Sequence, residues 1–450
     1  MKYHFIAIGG SAMHNLAIAL HLKGDNVTGS DDEIFNPSKD RLEKYNLLPA
    51  KIGWDPSLID QSIDAVILGM HAREDNPELI KAQQIGLSIF SYPEFIYQQT
   101  KNQIRVVIGG SHGKTSITSM ILHVLKDNNI DHNYMVGAQL EGFECMVKLS
   151  ESSKIAVLEG DEYLSSPIDR RPKFHLYKPD VAVISGIAWD HINVFPTFEN
   201  YIEQFKIFAE CVSDDGCIFY CNEDNELKKL MSSNDFNCEL KSYSAHDHNV
   251  INGVTNLVQE NQQIPIEIFG LHNLQNLKAA QLVCKELGID NLSFYNSISK
   301  FKGASKRLEL VAKNNNSVFY KDFAHSPSKL KATTKALKEQ FPKRKLVACM
   351  ELHTFSSLNK DFLKQYKNSM CLADEAIVYF NTETIKHKKL EKITEEDVSN
   401  AFVNITVFTS SDHMITHLKS KSWDHANLLM MSSGNFDGID FKKFGKEIIK

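Results

Sequence analysis

Residues 106–116 read VVIGGSHGKTS, and this stretch indicates both a local fold and a binding site. An apolar run predicts a buried strand, a glycine-rich turn follows, and the pattern over 116–128 predicts an amphipathic helix. Glycines let consecutive backbone N–H groups converge on phosphate oxygens, and a helix start adds partial positive charge. Lys114 would reach the β- and γ-phosphates, and the Thr115 hydroxyl would ligate Mg²⁺. The predicted nucleoside triphosphate site comprises Gly110, Ser111, His112, Gly113, Lys114, Thr115 and Ser116.

One position departs from the general phosphate-loop pattern. That pattern has a glycine six residues before the lysine, where this chain has Ile108. A chance Lys-Thr pair behind a glycine turn is therefore the alternative interpretation. The buried strand before the turn and the amphipathic helix after it favour the phosphate loop.

Two later segments place possible metal ligands directly after predicted strands. Carboxylates end the segment IAVLEGDE at 155–162, and WDH at 189–191 follows the apolar run 180–184. Because parallel strands end at one edge of a sheet, we expect these groups near the phosphate loop. Taken alone, Asp190-His191 would be a helix cap or a core histidine. Together with the loop, the predicted metal ligands are Thr115, Glu159 and His191, and the predicted cofactors are ATP and Mg²⁺.

Short apolar runs alternate with amphipathic stretches along most of the chain. The runs cover 5–8, 64–68, 105–108, 155–158, 180–184, 217–220, 318–320, 345–350, 375–380 and 427–431. Such alternation is typical of parallel sheets wrapped by helices, so the predicted fold class is α/β. Polar segments at 97–103 and 313–317 separate three domains, predicted at 1–101, 102–310 and 311–450.

The composition argues against several kinds of partner. With a net charge of -6, the 450-residue chain has no basic footprint for nucleic acid or anionic membranes. No apolar run approaches the roughly 18 residues of a membrane helix, and the N-terminus has no signal-peptide cleavage site. Eight cysteines occur without a C-x-x-C pair, which argues against a zinc site. We expect a cytoplasmic protein, monomeric or weakly dimeric, without a nucleic-acid or membrane partner.

Six segments, in this order, resemble the Mur ligase family of peptidoglycan synthesis. They are GSHGKT at 110–115, EGDE at 159–162, DH at 190–191, GLHNLQN at 270–276, FKG with KRLE at 301–309, and DFAHSP at 322–327. The resemblance spans nearly the whole chain. It implies a Rossmann-like UDP-sugar-binding domain, a central P-loop ATPase domain with a parallel sheet, and a Rossmann-like C-terminal domain that binds an amino acid or peptide.

The resemblance also implies a reaction. ATP would phosphorylate a carboxylate of a UDP-linked sugar acid, and an amine would attack the acyl phosphate to give an amide, ADP and phosphate. Such chemistry needs charge neutralisation more than covalent catalysis. The implied catalytic residues are Lys114, Glu159, His191 and Arg307. Further ATP contacts are implied for Asn273, Asn276, Arg307, Asp322 and His325. Arg307 and Asp322 would join only when the third domain closes over the nucleotide.

The N-terminal segment AIGGSAM at 7–13 follows the first predicted strand and opens a helix. It departs from G-x-G-x-x-G because Ala7 and Ala12 replace glycines, so alone it is a weak signal. Asp31 ends the second predicted strand, where an acidic residue commonly binds a ribose. The two features resemble the UDP site of the muramate–alanine branch, with UDP-N-acetylmuramate as substrate. The implied UDP-sugar contacts are Gly9, Gly10, Ser11, Ala12, Met13, Ser30 and Asp31.

Two acceptors compete within that branch: L-alanine, and the recycling tripeptide L-Ala-γ-D-Glu-meso-diaminopimelate. EGDEY at 159–163, DRRPKF at 169–174 and MSSGNFDG at 431–438 resemble the tripeptide ligase. ELHTF at 351–355 instead keeps a histidine seen in the alanine-adding type, without its neighbouring proline and arginine. We favour the tripeptide, with L-alanine as the alternative.

Three other functions explain the sequence less well. A P-loop switch or motor would not need the separate turn at Gly9-Gly10. A folate polyglutamating ligase normally lacks a domain like the roughly 100 residues that precede the phosphate loop here. A non-catalytic UDP-sugar-binding protein would not need Lys114, Thr115, Glu159 and His191 together.

Overall fold

The computed structural model describes residues 1–140, 142–189, 194–260, 262–303 and 307–449. Contacts divide the chain into two compact units. The first comprises Met1–Ser244 and Leu277–Ser297, and the second comprises Ala245–Asn276 and Ile298–Lys450. The first unit contains two sheets dominated by parallel pairing. The second contains a small antiparallel sheet and a third parallel-dominated sheet.

The first sheet has four parallel strands in the order β2-β1-β3-β4. Its strands are β1 (Lys2–Ile6), β2 (Asn26–Ser30), β3 (Ala65–Leu68) and β4 (Ile89–Ser91), and its helices are α1 (Ser11–Lys23), α2 (Ser38–Lys44), α3 (Pro77–Gln84) and α4 (Tyr92–Thr100). The order reverses between β1 and β3, so the loops that follow these two strands border a crevice of the kind that binds ligands.

The second sheet has seven strands in the order β11-β10-β9-β5-β8-β6-β7, all parallel except β7. Its strands are β5 (Ile104–Gly109), β6 (Asn133–Met135), β7 (Val147–Lys148), β8 (Ile155–Glu159), β9 (Val181–Ile184), β10 (Cys217–Cys221) and β11 (Glu239–Tyr243). Helices α5 (Lys114–Asp127), α6 (Phe198–Glu210) and α7 (Asn225–Ser232) follow three of them. Central strand β5 lies between β8 and β9, which brings the ends of all three strands to one edge.

A small antiparallel sheet was not predicted from the sequence. It consists of β12 (His248–Ile251), β13 (Val254–Gln259) and β14 (Gln262–Ile266), and α8 (Leu271–Glu286) and α9 (Asn291–Ile298) follow. These strands are polar and partly exposed, so they lack an apolar run. The turn Asn252-Gly253, with φ of 51° and 77°, is the signal that could have revealed the first hairpin.

The third large sheet has six strands in the order β15-β16-β20-β17-β18-β19, with only β15 antiparallel. Its strands are β15 (Glu309–Lys313), β16 (Val318–Asp322), β17 (Lys345–Leu352), β18 (Glu375–Phe380), β19 (Thr406–Phe408) and β20 (Ala426–Met431). The helices are α10 (Pro327–Gln340), α11 (Lys360–Leu363), α12 (Thr382–His387), α13 (Glu395–Phe402), α14 (Ser411–Lys419) and α15 (Phe441–Ile448). Separate apolar cores cover its two faces, which explains the continuous hydrophobic strands.

The predicted alternation of buried strands and helices is confirmed, but the first strand was placed too late. β1 ends at Ile6 rather than at residue 8, because Ala7 turns the chain with φ of 68°. Ala7 and Ile8 are apolar because they are buried beneath the turn, not because they extend the strand. Among the described residues, no helix is both long and apolar enough to cross a membrane.

Candidate active site

The phosphate loop leaves β5 at Gly109 and enters α5 at Lys114. Gly110 has φ of 127° and Gly113 has φ of 78°, both in the region that favours glycine. A Cβ on Gly110 would overlap Ser185 Oγ and lie 2.9 Å from the Ser185 nitrogen. Position 110 therefore accepts only glycine, and Ser185 forms the back wall of the loop.

The structure explains why Ile108 stands where the general motif has a glycine. It is a fully buried residue of β5, paired in register with Glu159 on β8 and Val183 on β9. The position that the pattern reserves for glycine thus belongs to the sheet here. In the turn itself, Gly110 and Gly113 are the positions whose φ favours glycine.

Lys114 is the first residue of α5, and its ammonium group is enclosed. Nζ donates to the Gly110 carbonyl oxygen at 2.7 Å and pairs with Glu162 Oε2 at 2.7 Å. Burial by itself lowers the pKa of Lys114, but the carboxylates of Glu162 and Asp161 outweigh it and hold the pKa above its ordinary value. The side chain is therefore a fixed positive charge folded back over the loop.

Thr115 and Glu159 bring a hydroxyl and a carboxylate together beside the loop. Thr115 Oγ1 donates to Glu159 Oε1 at 2.8 Å, and the Gly137 N–H donates to Glu159 Oε2 at 2.9 Å. Burial raises the pKa of Glu159, more than the Gly137 N–H and the Lys114 ammonium lower it. Mg²⁺ prefers hard oxygen ligands and is commonly held by one or two carboxylates plus substrate phosphates. This pair of donors fits Mg²⁺.

The third predicted metal ligand, His191, lies outside the described residues, as does Asp190. Across the described part of the chain, no group of three or more His, Cys, Asp or Glu side chains is arranged to hold a metal.

Tyr201 and Glu162 shape the site, although the sequence indicated only Glu162, as part of the acidic segment 159–162 with its possible metal ligands. Tyr201, on α6, donates its hydroxyl to Glu162 Oε1 at 3.1 Å and lies 2.9 Å from Ser111 Oγ. Ser111 Oγ in turn accepts the Ala188 N–H at 2.9 Å. The acidic run after β8 is a signal for Glu162. Tyr201 has none, because only the fold brings α6 beside the loop.

The glycine turn of the first sheet is fixed by Asp31. The Gly9 N–H donates to Asp31 Oδ2 at 2.7 Å, and a Cβ on Gly9 would lie 2.9 Å from that oxygen. Burial raises the pKa of Asp31, and the Gly9 N–H partly offsets the shift. Asp31 lies at the end of β2, as predicted, but its carboxylate is buried against the turn. The observed contact is therefore with the turn backbone.

The other predicted UDP-sugar residues divide into two groups. Gly10 precedes α1, Ser11 and Ala12 are exposed on its first turn, and Met13 is buried. Ser30 is also buried and donates its hydroxyl to Glu78 Oε2. The exposed residues and the turn backbone are accessible to a ligand, while the buried ones support the turn.

His14 connects this turn to the second sheet. Its Nδ1 lies 2.9 Å from the Gly10 carbonyl oxygen, and its Nε2 lies 3.2 Å from Arg41 NH1. A carbonyl only accepts and a guanidinium only donates, so the contacts select the neutral tautomer protonated at Nδ1. Arg41 NH2 also donates to the Glu144 carbonyl oxygen at 2.5 Å. The first two sheets are thus joined inside one compact unit.

In the second unit, Asp322 and Arg307 lie at the end of β16. Asp322 Oδ2 accepts the Leu308 N–H at 2.6 Å, and Oδ1 accepts the Ala324 N–H at 2.7 Å. The Arg307 guanidinium stacks over the Phe323 ring at 4.9 Å. His325 Nδ1 lies 2.8 Å from the Phe323 carbonyl oxygen. Arg307 and Asp322 were predicted to join only on closure of the third domain, whereas both lie in the second unit near the end of β16.

The predicted adenine-side residues begin α8. Asn273 and Asn276 are buried, and Asn273 Nδ2 donates to the Phe269 carbonyl oxygen at 2.9 Å. Next to Asn273 in sequence is His272, whose pKa is lowered by burial and by Arg307 against the opposing charge of Asp322. Sequence reasoning assigned no role to His272, although it stands inside the segment GLHNLQN.

Three family profiles match the chain in sequence order. The profile for the Mur ligase family catalytic domain matches residues 2–103, that for the Mur ligase middle domain matches 108–284, and that for the Mur ligase glutamate ligase domain matches 306–434. A UDP-N-acetylmuramate–L-alanine ligase from Caldicellulosiruptor bescii is 31% identical over 410 residues, covering 88% of this chain and 87% of that protein.

Solved structures with the same fold include two ligases. A UDP-N-acetylmuramate–alanine ligase from Thermotoga maritima has a TM-score of 0.69 at 18% identity, covering 99% of this chain and 98% of that one. A murein peptide ligase from Psychrobacter arcticus has a TM-score of 0.64 at 22% identity, covering 100% and 98%. At these identities the likeness establishes the fold alone, which confirms the predicted three-domain α/β architecture.

Proposed function

Because the chain belongs to the Mur ligase family and is therefore an ATP-dependent ligase that releases ADP, we propose that it joins the carboxylate of UDP-N-acetylmuramate to the amine of L-alanine. The observation that carries the ligase chemistry is the pairing of Lys114 with Glu162 and of Thr115 with Glu159 around one glycine loop. A peptidoglycan precursor would be the product.

The choice of acceptor reverses the preference drawn from the sequence. Curated relatives that align over most of the chain bear the name UDP-N-acetylmuramate–L-alanine ligase. They support L-alanine better than the tripeptide. The tripeptide stays a second candidate because residues 431–438 resemble the recycling enzyme, while ELHTF at 351–355 lacks the proline and arginine of the alanine-adding type.

In the proposed reaction, the loop backbone from Gly110 to Gly113 and the Lys114 ammonium bind the β- and γ-phosphates. Lys114 would exchange its Glu162 partner for phosphate oxygens and offset charge that spreads over the transferred group. Thr115 and Glu159 would hold Mg²⁺, which when bound draws charge from the phosphate oxygens. Transfer of the γ-phosphoryl group to a carboxylate oxygen of the sugar acid would break its bond to ADP and give the acyl phosphate. The amine would then attack the carbonyl carbon, lose a proton and displace phosphate, which leaves the amide.

The remaining site assignments are also proposals. His191 would complete the metal site, and Arg307 would neutralise phosphate charge. Asn273, Asn276, Asp322 and His325 would contribute to ATP binding together with Ser111, His112 and Ser116. The turn from Gly9 to Ala12 would bind the UDP-sugar, and the buried side chains of Met13, Ser30 and Asp31 would support that turn. We propose domain limits of 1–101, 102–310 and 311–450.

Phosphate release measures this reaction directly. Purified protein would receive Mg-ATP and UDP-N-acetylmuramate with either L-alanine or the tripeptide, and products would be identified by mass. Release with L-alanine alone is expected. Release with the tripeptide alone would replace the acceptor, and no release with either would overturn the proposed function.

A further inference from the structure

A buried glutamate stands behind the loop that follows β20. Glu351 lies near the end of β17, next to β20, and its side chain is only 3% exposed. Its Oε2 accepts the Ser432 hydroxyl and also the Phe436 N–H at 2.9 Å. Oε1 lies 3.7 Å from His353 Nδ1. One carboxylate thereby fixes both ends of the segment 432–436.

The segment adopts a conformation that needs such support. Phe436 and Asp437 have φ of 51° and 59°, and consecutive non-glycine residues in the left-handed region are costly. A Cβ on Gly434 would lie 2.8 Å from Glu351 Oε2 and 2.9 Å from His353 Nδ1. The backbone therefore rests directly against the carboxylate and the imidazole.

Besides Glu351, two further side chains fix the far end of the same loop. Asn381 Nδ2 donates to Asp437 Oδ2 at 2.9 Å, and the Tyr379 hydroxyl donates to the same oxygen. Both partners come from the end of β18 and the residue that follows it. The loop from Ser432 to Asp437 is thus fixed by two neighbouring strands, although it lies at the sheet edge where α/β proteins bind ligands.

This loop forms one side of a cavity of about 150 Å³. The other side comes from the end of β16 and the start of α15. Lys321, Asp322 and Phe441 belong to that other side, and Ser432, Gly434 and Phe436 belong to the loop. The volume is well below the roughly 300 Å³ of a typical small-molecule pocket, so the cavity can take one small residue, and the rest of a longer acceptor would extend out of its open side.

Both candidate acceptors begin with the same L-alanyl residue. We propose that Glu351 is a positioning residue that holds the segment 432–436 in the shape that receives this residue, and thereby sets the affinity for the acceptor. This inference rests on the proposed function. A buried glutamate with a purely structural role would also stabilise the loop, but its loss would not act on one substrate selectively.

The test compares Glu351→Gln with Glu375→Gln. Glutamine keeps the shape of Glu351 but removes its charge, which weakens the bonds from Ser432 and Phe436. Glu375 is a matched control at the opposite end of the same sheet, where it pairs with Lys421 and His417. Each variant is assayed with both acceptors, and Ser432→Ala provides a milder second variant should Glu351→Gln fold poorly.

Glu351→Gln is expected to raise the acceptor KM about tenfold, with the KM values for ATP and UDP-N-acetylmuramate within twofold of wild type. Amide hydrogen exchange at 432–438 should also accelerate, while Glu375→Gln leaves both readouts unchanged. Equal losses for all three substrates, or faster exchange with an unchanged acceptor KM, would overturn the inference.

Failure of the proposed function is recognised separately in the wild-type assay. A wild-type protein inactive with both acceptors would disprove that function whatever the variants do. The role of Glu351 in holding the segment 432–436 would then be judged by amide hydrogen exchange alone. Unchanged exchange at 432–438 in Glu351→Gln would disprove that role too.

Discussion

Two glycine turns in this molecule have the same strand–turn–helix arrangement but different charged side chains around them. Both follow a parallel strand and open a helix: Gly9-Gly10 before α1, and Gly109-Gly110 before the loop that leads into α5. The first turn is held by backbone contact with the buried carboxylate of Asp31. The second is lined by the Lys114–Glu162 and Thr115–Glu159 pairs.

This difference separates binding from chemistry. A glycine turn and a helix start suffice to receive an anion such as a diphosphate. Transfer of a phosphoryl group also requires a fixed cation and metal ligands at the developing charge. The turn at Gly9-Gly10 has the first set of features, and the phosphate loop has both. Substitutions at the two turns should therefore affect different quantities.

The largest effect is expected for Lys114→Ala. Removal of the ammonium group that folds back over the loop should lower kcat by about 10³-fold or more. UDP-N-acetylmuramate binding, measured by calorimetry, should stay within about twofold. Lys173→Ala is the matched control, because Lys173 forms an equally short pair with Asp161 at 2.7 Å. Loss of UDP-sugar binding in a folded Lys114→Ala protein would contradict the separation of roles.

Gly110→Ala should come next. The added Cβ meets Ser185 and requires a φ that alanine resists, so ATP affinity should fall about a hundredfold. The double variant Gly110→Ala/Ser185→Ala removes the nearest atom but leaves the backbone nitrogen, and only partial recovery is expected. Full recovery of ATP affinity would show that overlap with Ser185 Oγ, rather than backbone strain, is what excludes alanine from position 110.

Asp31→Ala should weaken UDP-N-acetylmuramate binding about tenfold through loss of the bond to Gly9. ATP affinity should not change. Asp32→Ala is a control, because the neighbouring side chain is exposed. An equal loss of both nucleotides would show that the two turns are not independent.

The smallest effect concerns pH and His14. Burial and the Arg41 charge hold the pKa of His14 below its ordinary value, although the Gly10 carbonyl opposes them. Neutral His14 therefore contributes stability that is present above about pH 6.5 and is lost as pH falls through the lower folded pKa. His14→Gln should reduce the acid-side loss of Tm by about 1–2 °C. An unchanged pH profile would show that His14 is not responsible.

The sequence predicted the strands that are apolar on both faces, because continuous runs such as 345–350 leave little alternative. It also predicted the glycine loop between β5 and α5, whose glycines and Lys-Thr pair are contiguous. It could not predict Tyr201 or Glu351, whose roles depend on residues distant in the chain. Nor did it show that Asp31 faces the turn, because the end of a strand does not specify the direction of a side chain.

Among the contacts between the first two sheets, some should produce correlated substitutions and others should not. Lys44 and Tyr45 reach the Glu144 side chain, so substitutions at these positions should be correlated among homologous sequences. Arg41 instead contacts the Glu144 carbonyl oxygen, and Asn15 accepts the Met146 N–H at 3.0 Å. Every residue type supplies a carbonyl and almost every type an N–H, so those contacts can persist while positions 144 and 146 drift. Covariation between sequence positions would then detect the contacts made by the Glu144 side chain. It would miss the contacts made by the Glu144 carbonyl oxygen and the Met146 N–H.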